Sequence, residues 1–188
     1  MEGTTLHIKN MVCSRCRKVV RKELESLGLH PLSVGLGEVT LAEPAALVDQ
    51  AAVGAALARH GFGLLDDKKA RTVQKIKSTV IEAIHHRDTP QPHFSAFIAG
   101  EVGLDYAYLS ALFSASEGIT LEKYIILQRI ERAKELLVYD ELSLSQIADK
   151  LGYSSVQHLS GQFRKVTGLT PSHFKKLKAQ KRRPLDEI

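Results

Sequence analysis

The stretch from Ser143 to Pro171 has the clearest hydrophobic periodicity in the chain. Apolar residues recur at helical spacing from Leu144 to Leu151, are interrupted at 152–154, and recur again from Leu159 to Val166. Each predicted helix starts with a serine followed three residues later by a glutamine, the pattern of a capping box, in the pairs Ser143 with Gln146 and Ser154 with Gln157. The pattern predicts two short helices joined by a tight turn at Gly152.

A similar pattern occurs earlier, between Ser95 and Gly118. Apolar positions precede Gly103, and Asp105 then stands where a helix cap is expected, ahead of inward-facing Leu109 and Phe113. Between the two segments, residues 121–138 keep helical periodicity without a break. Residues 95–188 are therefore predicted to be all-α, with helix-turn-helix units at 95–120 and 143–171 joined by the helix 121–138.

The first 66 residues have a different periodicity. A short alternating segment at 5–10 is followed by a helical one at 17–27, two strand-like segments at 31–36 and 38–42, a helical segment at 49–60 and a last apolar run at 61–65. The order strand, helix, strand, strand, helix, strand predicts a ferredoxin-like βαββαβ domain over 1–66. The overall fold class is therefore α+β.

Residues 67–94 are predicted to connect these two parts. Val73, Ile76, Val80 and Ile84 have heptad-like spacing, but about two heptads are too few for a coiled coil, so we expect a helix packed on one of its neighbours. The segment Thr89 to Pro92 contains two prolines and marks the expected domain boundary.

Composition and charge narrow the range of partners. No apolar run approaches the roughly 18 residues of a membrane span, and the first ten residues lack a signal-peptide core, so we expect a cytoplasmic protein with no membrane partner. Residues 142–188 carry 9 basic and 3 acidic side chains, whereas 95–141 carry 4 and 8. The basic excess thus lies in the last unit, where phosphate contact would require it.

A Met-x-Cys-x-x-Cys segment, Met11 to Cys16, lies between the first predicted strand and helix. Two thiolates on one tight loop suit a soft ion of low coordination number, and Cu(I) fits best, although another soft metal ion is compatible. The helix N-terminus and nearby Arg15, Arg17 and Lys18 should lower the thiol pKa values. Because this loop occurs together with the predicted strand order, residues 4–66 resemble the heavy-metal-associated domain of copper chaperones and copper-transporting ATPases. The resemblance implies metal ligation by Cys13 and Cys16, with Met11 packed beneath the loop.

Three other interpretations of the cysteine pair remain open. The pair could act as a thiol redox switch, although the split strand order favours a metal domain. Zinc normally takes four ligands, and the chain has only two cysteines. The first domain could also have lost metal binding and serve only dimerisation or partner binding.

The C-terminal part closely resembles the DNA-binding domain of AraC-type transcription regulators. The motifs that carry the resemblance over residues 95–177 are Ile147-Ala148, Leu151 to Ser154, Phe163 to Lys165, Thr167 to Pro171 and Arg129 to Leu137. In a helix-turn-helix protein the second helix of each unit enters the major groove. The resemblance therefore implies double-stranded DNA as a partner.

The resemblance also implies which residues face the DNA. The matching positions are Tyr106, Ala107, Ser110 and Ala111 in the first unit, and Val156, Gln157, Ser160 and Gly161 in the second. Ser155, His158 and Gln162 are neighbouring candidates for DNA contact, and Arg164 and Lys165 are candidate phosphate contacts. Family members often carry arginine at the positions of Ala111 and Gly161, and neither unit has it here. Gln157 is therefore the best candidate for direct base contact, and we expect the second unit to supply most of the affinity.

Together these observations predict a transcription regulator that responds to Cu(I) or another soft metal ion. RNA polymerase is a further expected partner, and a homodimer is compatible with the sequence. A second hypothesis is a redox-responsive regulator, and a third is an interaction module that does not bind DNA. No arrangement of nucleophile and base and no nucleotide-binding loop is found, so we do not expect an enzyme.

Overall fold

The structure is a computed structural model that describes residues 3–87 and 93–179. The expected boundary loop from Thr89 to Pro92 and the basic tail beyond residue 179 lie outside the described residues. The chain folds around two separate hydrophobic clusters, one within residues 6–62 and the other within 73–163.

The N-terminal part contains a four-stranded sheet with two helices. Its elements are β1 (Thr5–Lys9), α1 (Ser14–Ser26), β2 (Pro31–Val34), β3 (Glu38–Leu41), α2 (Gln50–Ala58) and β4 (Gly63–Leu64), with a 3₁₀ turn at Ala45–Leu47. The strand order is β2-β3-β1-β4, and every neighbouring pair is antiparallel. These elements follow the order that the sequence predicts, with most ends shifted by one to three residues.

The alternation along β1 explains how the sheet buries one face. Leu6 and Ile8 point into the N-terminal cluster, whereas Thr5 and Lys9 are exposed. Met11 is completely buried in the same cluster, at 0% exposed, together with Val20 and Leu24 of α1. The methionine thus packs beneath the cysteine loop, as the sequence predicts.

The rest of the chain is helical. Its elements are α3 (Lys68–Ile81), which continues into a π-helical turn at Glu82–His86, then α4 (Phe94–Val102), α5 (Tyr106–Glu117), α6 (Leu121–Tyr139), α7 (Leu144–Lys150), α8 (Val156–Thr167) and α9 (Pro171–Ala179). Left-handed glycines end α4, α5 and α8, because a residue with positive φ can close the last turn of a helix.

Helix α3 is integrated into the C-terminal core. Its apolar stripe of Val73, Ile76 and Val80, with Ile84 of the π turn, is buried in one cluster with residues of α4 to α8. Helix α3 packs mainly on α4 and α5. The expected connector is therefore part of the C-terminal packing, because burying this stripe against α4 and α5 removes it from water.

In the described part of the chain, no single helix is both long and apolar enough to cross a membrane. Helices α4 and α5 reach the necessary apolar length only as a pair bent by 86°. Ile98, Leu109 and Phe113 of this pair are fully buried in the C-terminal core.

Candidate nucleic-acid interface and cysteine loop

Helices α7 and α8 form the second predicted helix-turn-helix unit. Ser143 and Gln146 form a complete capping box at the start of α7, and Gly152 takes a left-handed φ of 69° in the turn. The cap of α8, however, is Ser155 and not the predicted Ser154. The Ser155 side chain accepts a hydrogen bond from the amide of His158 at 3.1 Å, because its extended backbone places the hydroxyl over the first turn.

The predicted DNA-facing residues of α8 are in part on the side opposite its buried residues, whereas Val156 packs against the C-terminal cluster. Leu159 and Phe163 are completely buried and attach the helix to the core. The remaining predicted positions are divided between exposed residues (Ser155, Gln157, His158, Gly161, Arg164 and Lys165) and half-buried ones (Val156, Ser160 and Gln162). The structure therefore brings all of the exposed candidates of the second unit onto one accessible surface, which we call the α8 surface.

His158 has a defined orientation on the α8 surface. Its ring Nδ1 lies 3.2 Å from the Ser154 hydroxyl, and the ring meets the edge of Tyr153 with centroids 5.2 Å apart. Ser154, which sequence reasoning assigned to the cap, instead positions this side chain. A fixed imidazole loses less conformational entropy when it meets a base edge or a phosphate.

Gly161 lies in the middle of the α8 surface. A Cβ built on it would meet no atom within 4 Å, so nothing inside the protein requires glycine at this position. The glycine lowers helix stability by roughly 1 kcal/mol relative to alanine. Its exposed position agrees with either of two interpretations: close approach of the backbone to DNA, or a position under no constraint to contact a base.

The first unit differs from the second in its charge and in the hydrogen bonds that its predicted DNA-facing side chains make within the protein. Helix α5 contains no basic residue, and its predicted positions Ala107 and Ala111 are exposed, while Tyr106 and Ser110 are half-buried. The Tyr106 hydroxyl donates a 2.8 Å hydrogen bond to the carboxylate of Glu122. Burial, with this bond and the Glu122 charge, raises the pKa of Tyr106, so the hydroxyl stays protonated and engaged within the protein.

Tyr108 on α5 was missed by the sequence reasoning. Its side chain is 51% exposed, and it lies on the same helix face as Ala107 and Ala111. Helical periodicity could have identified it, because position 108 is three residues before Ala111. This face is the largest difference between the two units, since it presents a phenol and methyl groups where α8 presents amide and cationic groups.

The cysteine loop, Met11 to Cys16, runs into α1, which begins at Ser14, so Cys16 lies in the first turn of the helix and not before it as the sequence predicts. Cys13 is the N-cap residue, and its Sγ lies 3.3 Å from the Sγ of Cys16 one turn further on. Both thiols are free and both residues are half-buried, with Cys16 packed against the N-terminal cluster. Hydrogen bonds from the Cys16 backbone and thiol, followed by the Arg15 backbone and charge, lower the pKa of Cys13, although burial opposes this effect.

The donor set at the loop fits a soft ion with two ligands. In the described residues, no group of three or more histidine, cysteine or carboxylate side chains is arranged to hold a metal. Two adjacent sulfurs, one with a lowered pKa, match the preference of Cu(I) for thiolate ligands, whereas a structural zinc site needs four. A two-sulfur site at this loop is therefore chemically consistent with Cu(I).

The helical part of the chain is similar to known proteins. A family described as a helix-turn-helix domain matches residues 98–177. The chain is also similar to a crystal structure from Chromobacterium violaceum, which is described as a transcriptional regulator with an AraC-type DNA-binding domain. The two superpose with a TM-score of 0.50 at 26% sequence identity, over 60% of this chain and 96% of that one. Residues 98–177 therefore match a helix-turn-helix domain, and the helical part of the chain is similar to a protein with an AraC-type DNA-binding domain.

Relatives with longer chains are also transcriptional regulators by name. The HTH-type transcriptional activator RhaR of Salmonella dublin is 26% identical over 172 residues, which is 91% of this chain and 57% of RhaR. The "Probable transcriptional regulator LumQ" of Photobacterium leiognathi is 27% identical over 118 residues, which is 63% of this chain. The chain spans 46% of the length of LumQ, so it spans less than two thirds of both relatives.

Proposed function

We propose that the protein is a sequence-specific DNA-binding transcription regulator that responds to a soft metal ion, Cu(I) in the first instance. The observation that carries the DNA-binding part is the α8 surface, on which Gln157, Gly161 and the cations Arg164 and Lys165 are exposed together. In this proposal α8 enters the major groove, Gln157 contacts a base edge, and the two cations contact phosphates.

The second unit supplies most of the DNA affinity in this proposal. Helix α5 lacks basic residues, and its Tyr106 hydroxyl is bonded to Glu122. Without a cation, α5 cannot contribute to the counterion release that dominates affinity for DNA. Ala107 and Ala111 remain available for apolar contact with thymine methyl groups.

The metal-responsive part is supported by the N-terminal sheet and the cysteine loop. The strand order β2-β3-β1-β4, antiparallel throughout, is compatible with the ferredoxin-like βαββαβ unit that the resemblance implies. Cys13 is the N-cap residue of α1 and Cys16 lies in its first turn, with the two sulfurs 3.3 Å apart. Cys13 and Cys16 would hold the ion through their sulfurs. The bound ion would supply a positive charge and a fixed separation between the two sulfurs.

The proposed division of the chain follows the two hydrophobic clusters. The metal-binding unit comprises residues 1–66, and the DNA-binding unit begins with α3, since α3 is buried in the C-terminal cluster. RNA polymerase is the expected partner if the protein activates transcription. A homodimer is a further proposal, and sedimentation of the free protein and of the DNA complex would test it.

The experiment that tests the function is a binding titration under anaerobic conditions. The reduced protein is titrated onto its own upstream DNA, with and without one equivalent of Cu(I), and compared with the double variant Cys13→Ser and Cys16→Ser. We expect Cu(I) to change the DNA affinity of the natural chain and leave that of the variant unaltered. If the DNA affinity of both proteins does not change with Cu(I), the proposed metal response is wrong and the proposed DNA-binding function remains.

A redox response is the second candidate, because the two sulfurs are already only 3.3 Å apart. Loss of two electrons and two protons to a thiol oxidant would join the sulfurs in a disulfide. Titration with oxidised glutathione in the absence of metal separates the two candidates. A change in DNA affinity that is reversed by a dithiol reductant would favour the redox response.

A further inference from the structure

Helix α3 lies between the two hydrophobic clusters and presents a different face to each. Val73, Ile76 and Val80 enter the C-terminal cluster. The side toward the sheet carries Gln74 and Ser78, which are 9% and 8% exposed and are joined by a 3.1 Å hydrogen bond from the Gln74 amide to the Ser78 hydroxyl. The N-terminal unit therefore meets α3 through polar side chains, and polar interfaces between units allow relative motion.

One contact at this interface is very close. A Cβ on Gly37, in the turn between β2 and β3, would lie 2.9 Å from the Ser78 hydroxyl and 3.1 Å from Cγ of Gln74. Gly37 also takes a φ of 88°, which favours glycine. Beside this contact the interface forms an open cleft of about 400 Å³, whose walls include Arg17 of α1 and Lys75 of α3.

The second contact reaches the cysteine loop directly. Nε2 of His86, the last residue of the π turn, lies 3.3 Å from the carbonyl oxygen of Val12. Val12 immediately precedes Cys13, the N-cap of α1. Any rearrangement of the loop backbone that moves the Val12 carbonyl therefore changes the hydrogen bond to His86.

The neighbouring histidine connects the same turn to the DNA-binding helices. Nε2 of His85 lies 3.0 Å from the side-chain oxygen of Gln128 in α6. The next residue of α6 is Arg129, whose guanidinium lies over the ring of Tyr153 in the turn between α7 and α8. Two adjacent residues of one π turn thus contact the cysteine loop on one side and the helix that supports the second unit on the other.

We propose that the π turn Glu82–His86 is the coupling element between the cysteine loop and the DNA-binding helices, and that His86 is the positioning residue that transmits the state of the loop. This inference rests on the proposed metal response and names its route. A π turn is an uncommon form of helix that is frequent at functional positions. Binding at the two sulfurs moves the loop, the loop moves the Val12 carbonyl, and the π turn passes the change to α6 through His85.

The main test compares His86→Ala with the natural chain. The ratio of DNA affinities with and without Cu(I) is measured anaerobically, and Cu(I) affinity is measured by competition with a chromophoric chelator. We expect a ratio of about fivefold or more in the natural chain. In His86→Ala we expect the ratio to fall to within about twofold of one, because the coupling free energy is lost. The Cu(I) affinity of this variant should be unchanged. The DNA affinity of its metal-free form should be unchanged as well.

Three controls separate coupling from simple damage. His86→Gln keeps a hydrogen-bond donor and should retain the response. His93→Ala removes an exposed histidine that starts α4 and should leave the response intact. Amide hydrogen exchange of residues 82–87, measured without metal, should be faster in His86→Ala and unchanged in His93→Ala, which gives a readout independent of the bound ion.

A second pair of variants tests the other end of the interface. Gly37→Ala places a methyl group against Ser78, so it should separate the N-terminal unit from α3 and abolish the response to Cu(I). Gly61→Ala imposes similar strain, since Gly61 has a φ of 79°, but its Cβ meets nothing within 4 Å. Gly61→Ala should therefore retain the response.

The outcomes are distinct for the two proposals. Loss of the Cu(I) response in His86→Ala and Gly37→Ala, with retention in the control variants His86→Gln, His93→Ala and Gly61→Ala, supports the π turn as the coupling element. A full response in His86→Ala overturns this inference and leaves the metal-responsive function in place. Absence of any response in the natural chain overturns the metal-responsive function, and the inference with it.

Discussion

The guanidinium of Arg129 lies over the ring of Tyr153, with its Cζ atom 5.7 Å from the ring centroid. The same Cζ lies 5.1 Å from the ring centroid of Phe94, the first residue of α4. Burial lowers the pKa of Arg129, but from an ordinary value so high that the group remains charged. One cation on α6 therefore connects the first unit with the turn of the second through two aromatic faces.

We predict that Arg129→Met lowers the free energy of unfolding by about 1 to 2 kcal/mol, since methionine keeps an unbranched apolar side chain and removes the attraction of the guanidinium to both rings. Chemical denaturation followed by circular dichroism measures the change. Lys123→Met on the exposed side of α6 is the matched control, with an expected change below about 0.5 kcal/mol. Equal stability of the two variants would show that Arg129 contributes only as a hydrophobic side chain.

The double variant Arg164→Ala and Lys165→Ala tests the phosphate contacts of the α8 surface. We expect weaker binding to all DNA sequences, and the slope of log K against log salt should become shallower by about 2, one for each phosphate contact removed. Fluorescence anisotropy over a salt series gives both quantities. The control pair Lys68→Ala and Lys69→Ala removes the same charge at the start of α3 and should leave the slope near its natural value. An unchanged slope in the α8 variant would contradict the assignment of Arg164 and Lys165 as phosphate contacts.

Gly161→Ala should raise the free energy of unfolding by up to about 1 kcal/mol, because alanine is the better helix former and its methyl group meets no atom within 4 Å. Thermal denaturation measures this gain. DNA binding supplies the second readout: we expect lower affinity if the DNA backbone approaches the glycine closely. A variant that is more stable and binds DNA equally well would remove close approach as the reason for the glycine.

The Cys13 thiol should ionise below the ordinary thiol pKa of 9.0, because the hydrogen bonds from Cys16 and the Arg15 backbone favour the thiolate. A lowered pKa means more thiolate near neutral pH, so alkylation of Cys13 by iodoacetamide should accelerate at lower pH than in the urea-unfolded chain. Peptide mass spectrometry across a pH series follows this residue alone. Cys16→Ala keeps the backbone amide and removes the thiol, so it should move the Cys13 midpoint only part of the way back.

Local patterns predicted most elements of this protein, although the π turn at Glu82–His86 and α9 were not predicted. The capping box of Ser143 and Gln146, the turn at Gly152 and the Asp105 cap of α5 all involve residues within a few positions of one another, and the structure confirms each. The burial of Met11 and the alternation along β1 were equally accessible, because the period of a strand or helix determines which side chains face inward. Family motifs then indicated which face of α8 is the candidate for DNA contact.

The position of α3 depended on the tertiary structure. Its stripe predicts a helix packed on a neighbour, but periodicity along one helix does not specify which neighbour covers it, and the structure places it in the C-terminal core. The same limit applies to the cap of α8: Ser154 and Ser155 are both suitable residues, and the backbone of the turn selects Ser155.

Contacts between distant segments were likewise decided only by the folded chain. The bond from Tyr106 to Glu122 joins residues 16 positions apart, and the contact of His86 with Val12 joins residues 74 positions apart. Such pairs carry no local signal, because each partner alone resembles any exposed polar residue. The sequence thus determined the elements and the candidate chemistry of this protein, while the packing of α3 between two cores decided which of those side chains meet.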